Sequence, residues 1–203
     1  MRNILVVVCI FALGIFPPAA HSSKQRPPAK SAIPLNADEI AIYRAVLQHY
    51  APQASASLNV SATTYPFDSA SAMNLVSHGE CLKGIELENL DVVSRSFHDL
   101  TPDVLLGKKM RLVDPNKQRK IVRANDPDKT MREGKSVNGA VADAFSTALF
   151  SMSEIAFDDG HHYAVVSYRF WCGSLCGNGS TLVFQKFGEE WRKTDRRCGS
   201  WVS

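Results

Sequence analysis

Outside its first twenty residues the chain has no apolar run long enough to cross a bilayer, so no membrane span is expected after them. It also lacks an excess of charge: 23 Lys and Arg stand against 20 Asp and Glu, which gives no argument for nucleic acid as a partner. The patterns of serine hydrolases, phosphate loops, dinucleotide folds and zinc proteases are missing. So is the two-residue cysteine gap of thioredoxin-like proteins. No spacing asks for a cofactor or a resident metal, and no residue is assigned a catalytic role. Cysteine is scarce, with five in 203 residues.

What is present begins with an export signal. Arg2 precedes the apolar core 4–13, and small residues follow at Ala19, Ala20 and Ser22. Residues 1–22 read as a signal peptide, cleaved after Ala20 or Ser22, and the product is expected to be secreted or periplasmic. No cysteine follows at the position that lipid anchoring needs. Residues 23–35 are proline-rich and basic without an apolar period and read as a flexible, extended linker. Residues 36–203 suit a single domain.

Removing Cys9 with the leader leaves Cys81, Cys172, Cys176 and Cys198. An even set in an exported chain reads as two disulfides. Of three pairings, Cys172–Cys176 with Cys81–Cys198 is preferred, and Cys172–Cys198 with Cys81–Cys176 is its rival.

Residues 163–172 alternate, with Ala164, Val166, Tyr168 and Phe170 on one face, and residues 181–187 read the same way. These are two strands of a hairpin. Gly173, Gly177, Asn178 and Gly179 lie between them and suggest an ordered loop, longer than a two-residue turn, that a Cys172–Cys176 bond would shape. Trp171, Ser174, Leu175 and Asn178 are the candidate binding residues, because apolar and aromatic groups on a rigid loop make contact points. The partner is unknown; an envelope protein is one candidate. The alternative is a thiol-redox or copper-binding role for Cys172 and Cys176, with His161 or His162 as a further ligand.

Elsewhere, Asn36 and Glu39 form a capping-box-like start to a helix whose apolar face carries Ile40, Tyr43, Val46 or Leu47, and Tyr50. Residues 58–64 read as a strand and 65–79 as a long loop. Residues 81–91 have a partial helical face, and Pro102 marks a turn into a short helix. Residues 110–113 and 120–122 read as a hairpin around Asp114-Pro115-Asn116. Residues 125–139 read as a loop and 140–148 as a short core helix. The stretch 107–135 is basic but has no interleaved aromatics and reads as a solvated surface. Asp158-Asp159-Gly160-His161-His162 reads as a β-turn with Gly160 at positive φ. The strand near 191–195 looks polar on both faces, as a guarded edge would. His98 with Asp99, or His78 and Glu80 with Cys81, are the base-and-orienter combinations the chain offers a cysteine nucleophile. Asn59 and Asn178 sit in glycosylation sequons.

The run Ser153-Glu154-Ile155-Ala156-Phe157, the Asp-Asp-Gly turn, Ala-Val-Val-Ser-Tyr, Cys-Gly-Ser-Leu-Cys-Gly-Asn-Gly and the terminal Trp-Val-Ser together resemble a family of bacterial secreted proteins of unknown function. The likeness covers residues 153–203 and extends more weakly to 38–64. It implies a fold and an export route and supplies no catalytic residues. The expected fold is α+β: an N-terminal helix packed on an antiparallel sheet with a C-terminal β-meander. The expected role is an exported, non-catalytic binding module.

Overall fold

The computed structural model describes residues 28–50, 57–68, 81–196 and 198–203. The expected signal peptide, the first part of the expected linker and most of the expected 65–79 loop lie outside them. The fold is α+β. Helix α1 (Ala37–Tyr50) starts with a reciprocal cap: the Glu39 amide donates to Asn36 Oδ1 (2.9 Å) and the Asn36 amide to Glu39 Oε2 (2.7 Å). Its buried face is Ile42, Tyr43, Val46, Leu47 and Tyr50, so Ile42 takes the inward place expected for Ile40. Tyr50 ends the helix in an aromatic cluster, with ring centroids 4.7 Å from Phe150, 5.5 Å from Tyr168 and 5.7 Å from Phe170.

Among the described residues ten strands occur, in chain order: β1 (Ala29–Lys30), β2 (Leu58–Ser61), β3 (Ser96–Phe97), β4 (Met110–Val113), β5 (Leu149–Met152), β6 (Ala156–Phe157), β7 (Tyr163–Gly173), β8 (Cys176–Phe187), β9 (Glu190–Lys193) and β10 (Ser200–Val202). The main sheet has the order β10-β8-β7-β5-β2-β4, with β6 also on β7 and β9 also on β8. The sheet is mixed, not antiparallel throughout: β2 runs parallel to both β4 and β5, while β5 through β10 pair antiparallel. Within the expected linker, Ala29 and Lys30 pair in parallel with Ser96 and Phe97.

The inward face of β7 is the one the alternation marks. Ala164, Val166, Tyr168 and Phe170 join the α1 residues, Val60, Phe150, Met152 and Phe184 in the main core. Val165 and Val183 point the other way, into a smaller core with Phe67, Leu82, Ile85 and the buried Cys81 and Cys198.

The middle of the chain differs most from its local signals. Residues 110–122 are not a hairpin: β4 pairs with β2, and helix α3 (Pro115–Ala124) follows. Asp114 caps that helix, its carboxylate accepting from the Asn116 and Lys117 amides. Asp-Pro serves a turn or a helix start equally well, and the second use prevails. The same device repeats at Asp126-Pro127, so the expected 125–139 loop contains helix α4 (Pro127–Arg132). Ser136 caps helix α5 (Val137–Thr147). Residues 81–89 are turns and irregular chain, with Gly84 at φ 74°, before the one-turn helix α2 (Leu90–Val93). The 191–195 strand is not polar on both faces: Trp191 on β9 is buried against Phe157. Its Lys186 neighbour on β8 binds Asp38 in α1 at 2.7 Å. Burial alone would raise the Asp38 carboxyl; its partners together, the Lys186 ammonium foremost, hold it below the usual range.

Candidate functional site

Strands β7 and β8 close at Gly173 opposite Cys176, leaving Ser174-Leu175 as the turn. The connection is therefore the two-residue turn that the glycine content had argued against. The ladder shifts register between Trp171 and Gly173, and Gly173 has φ 151°. Gly177, Asn178 and Gly179 belong to β8. Their small size serves a different purpose: Trp201 of β10 lies across them. A Cβ on Gly179 would stand 2.7 Å from Trp201 Cε2 and from Tyr168 O, and one on Gly177 3.3 Å from Trp201 Cζ3. The Ser203 amide donates to Gly177 O (2.9 Å), so the end of β10 reaches two residues short of the turn.

Among the described residues two disulfides are present, Cys172–Cys176 (Cα–Cα 5.0 Å) and Cys81–Cys198 (4.8 Å). The first closes the hairpin; the second joins the chain's middle to the segment entering β10. The hairpin end is also docked. Asp126, the cap of α4, accepts from the Ser174 amide at 2.6 Å and its hydroxyl at 3.3 Å while accepting from the Asp128 and Lys129 amides. Burial pushes the Asp126 carboxyl up, but the bonds from Ser174 and the helix amides dominate and hold it below its usual value. Those bonds are complete above the ordinary carboxylate range and are lost as pH falls through the lowered folded value. Asp126→Ala is expected to cost about 1–2 kcal/mol. It should also speed amide exchange at Ser174 and Leu175 at neutral pH, and the native protein should show the same loosening only in strong acid.

The four candidate contact residues share one end of the hairpin but are not equally free. Leu175 is 77% exposed. Ser174 is exposed and bound to Asp126. Trp171 and Asn178 are half-buried, and Asn178 bonds the Tyr50 side chain from β8. Two neighbours that local sequence did not mark, Trp201 and Val202 of β10, are 44% and 84% exposed. The signal available for them was only their apolar character in a short strand.

The proposed metal ligands are separated. His161 and His162 sit at the opposite end of β7 from Cys172 and Cys176, and both cysteines are oxidised. Among the described residues no group of three His, Cys, Asp or Glu side chains is placed to hold a metal ion. The 158–161 turn carries its positive φ on His161 (50°), not on Gly160, and the Tyr163 amide donates to Asp158 Oδ1 at 2.6 Å. The His161 ring stacks on Phe157 at 4.6 Å and 6°. Cys81 is in a disulfide, so it offers no thiol for a nucleophile. Asn59 is 1% exposed; its amide donates to Ala148 O and its oxygen accepts from Arg111, which leaves no access for glycosylation in the folded chain.

No family model, curated protein or solved structure matches the chain.

One polar cluster escaped the sequence reading. Glu154, 3% exposed, follows β5. Its Oε1 accepts from Thr64 Oγ1 and from the His98 amide (3.0 Å), and its Oε2 meets His98 Nδ1 at 2.7 Å. The orienter of His98 is thus Glu154, not the adjacent Asp99, which pairs with Lys30. The pair lies 56 residues apart in sequence. Glu154 belongs to the strand-like run that the sequence offered only as part of a fold signature.

Proposed function

We propose that this chain is an exported, non-catalytic module that binds a protein of the envelope or the exterior through the apolar end of its C-terminal hairpin. The observation that carries the reading is Leu175: a leucine 77% exposed on a turn held by a disulfide and by Asp126. An apolar side chain on a loop already ordered loses little further freedom on contact, so its burial goes largely into affinity. Val202 and Trp201 widen the same end. Two disulfides fit an oxidising compartment. Among the described residues no helix is long and apolar enough to cross a membrane. In this reading α1 backs a C-terminal meander that presents the tip.

Leu175→Asp combined with Val202→Asp tests it, because both side chains point outward and the fold should keep its melting temperature. Trp171 is half-buried, so truncating it would mix packing with contact. Immobilised wild-type chain is expected to retain one protein from the native envelope fraction, identified by mass spectrometry and confirmed by reconstituted binding. The double variant should lose it. Equal retention by the variant would remove the hairpin end as the contact surface.

A further inference from the structure

We infer a second site, at the other end of α1: the groove around His98 and Glu154 binds a protonated amine on an aliphatic stem, as a lysine side chain presents. The groove measures about 420 Å³ and lies between the N-terminus of α1, the 31–34 segment, α2 and β6. Helix α1 is 14 residues long and so spans about 20 Å. Its C-terminal Tyr50 sits under the tip-proximal half of the hairpin, beside Phe170 and Asn178. This groove is therefore separate from the hairpin end and rests on none of its residues.

Three features set the ligand's chemistry. First, the ring of His98 is held. Glu154 takes Nδ1, and among the described residues nothing bonds Nε2, the ring's other nitrogen. Nε2 is therefore the ring nitrogen left to meet a ligand. Second, the ionisable lining is Glu39, Glu88, Glu154, His98 and His161, with no Lys or Arg. A lining with three carboxyls and no Lys or Arg favours a donor that carries positive charge. Third, the remaining walls include Ile33, Val92, Ile155 and Phe157, which suit a methylene chain. Burial pushes the Glu39 carboxyl up and Glu154 adds to it, while the Asn36 amide, His98 and His161 act the other way; Asp159 raises Glu88.

Among the described residues no group of three His, Cys, Asp or Glu side chains is placed to hold a metal ion, and the apolar walls favour a cation that carries a stem.

The test is titration of the full disulfide-bonded chain with N-acetyl-lysine methylamide, followed by the histidine ring resonances in NMR. N-acetyl-norleucine methylamide, of the same stem without the charge, is the control. Saturable shifts at His98 and His161 are expected with the lysine compound and not with the norleucine compound. Glu88→Gln, at an exposed residue, should weaken the lysine compound roughly tenfold, the size of one lost charged contact. Leu175→Asp should leave it unchanged, which separates this site from the hairpin surface. No saturable shift, equal response to norleucine, or indifference to Glu88→Gln would each overturn the proposal.

Discussion

Replacing Cys81 and Cys198 together by alanine is expected to lower the melting temperature by about 10–20 °C. The bond spans 117 residues of sequence. In the loop-closure model a cross-link of that span removes about 5 kcal/mol of chain entropy from the unfolded state. A domain of this size has about 5–15 kcal/mol in total, so this is a large share. The native side adds to the effect. Both sulfurs are buried in the smaller core, beneath Phe67, Leu82 and Ile85, and nothing but turns joins that segment to α2. Arg196 helps to hold it, donating to Cys81 O at 3.1 Å and Lys83 O at 2.8 Å. Beyond the disulfide, those bonds, the Leu87–Asp158 bridge and the Glu88 amide on Phe157 O (2.9 Å) tie the 81–87 turns to the sheet. The Cys172–Cys176 pair offers the internal comparison. Its loop is only four residues apart in sequence, and the same model gives about 2 kcal/mol. Thermal unfolding of the two alanine pairs therefore separates by a factor of two or more. Equal losses would mean that native packing around the sulfurs, not chain entropy, sets the cost.

The comparison also shows where sequence carries information. Local, short-range signals were readable. Asn36 with Glu39 three residues on marks the start of α1, and period-two alternation marks β7 and the far half of β8. The misreadings have two causes. Asp114-Pro115 and Asp126-Pro127 encode a chain reversal in either of two forms, and only the surroundings choose. At 115–124 Val122 is fully buried and Gln118 reaches Thr147 O at 2.6 Å, contacts that favour a helix and cannot be seen locally. The second cause is distance. Gly177 and Gly179 look like turn residues until Trp201, more than twenty positions away, is known to lie on them. The hairpin tip was legible as a place but not as a docked place, because Asp126 is 48 residues from Ser174. The parallel pairing of β2 with β4 and β5 is equally silent, since a short apolar strand looks the same whichever way its neighbours run.

The buried carboxylate gives the second large effect. Glu154→Ala is expected to destabilise the fold by about 2–5 kcal/mol, because it leaves the His98 ring without its acceptor and the Thr64 hydroxyl with only His98 O, at 3.3 Å. The His98 amide retains Thr64 Oγ1 at 2.7 Å, so the loss falls short of a complete uncoupling. Consequences reach along the chain: Thr64 N–H donates to His98 O at 2.9 Å, and the Glu154 amide donates to Tyr65 O at 2.8 Å. One side chain thus ties the end of β2, the segment after β3 and the segment after β5. A structural role and a ligand-presenting role for this pair differ in what His98→Ala does. If Glu154 serves only to satisfy its neighbours, His98→Ala strands one carboxylate oxygen and costs nearly as much as Glu154→Ala, with a coupling of about 0.5–3 kcal/mol in the double variant. If the ring is there to offer Nε2 to the groove, a residue that keeps only the Nδ1 donor repairs stability without repairing recognition. His98→Asn is that residue: its amide N–H₂ can reach the position of Nδ1, and nothing of it replaces Nε2. We expect His98→Asn to melt within a few degrees of wild type and to lose the lysine-compound shift at His161. A variant that keeps both stability and that shift would show that the ring's outer nitrogen has no part in the groove.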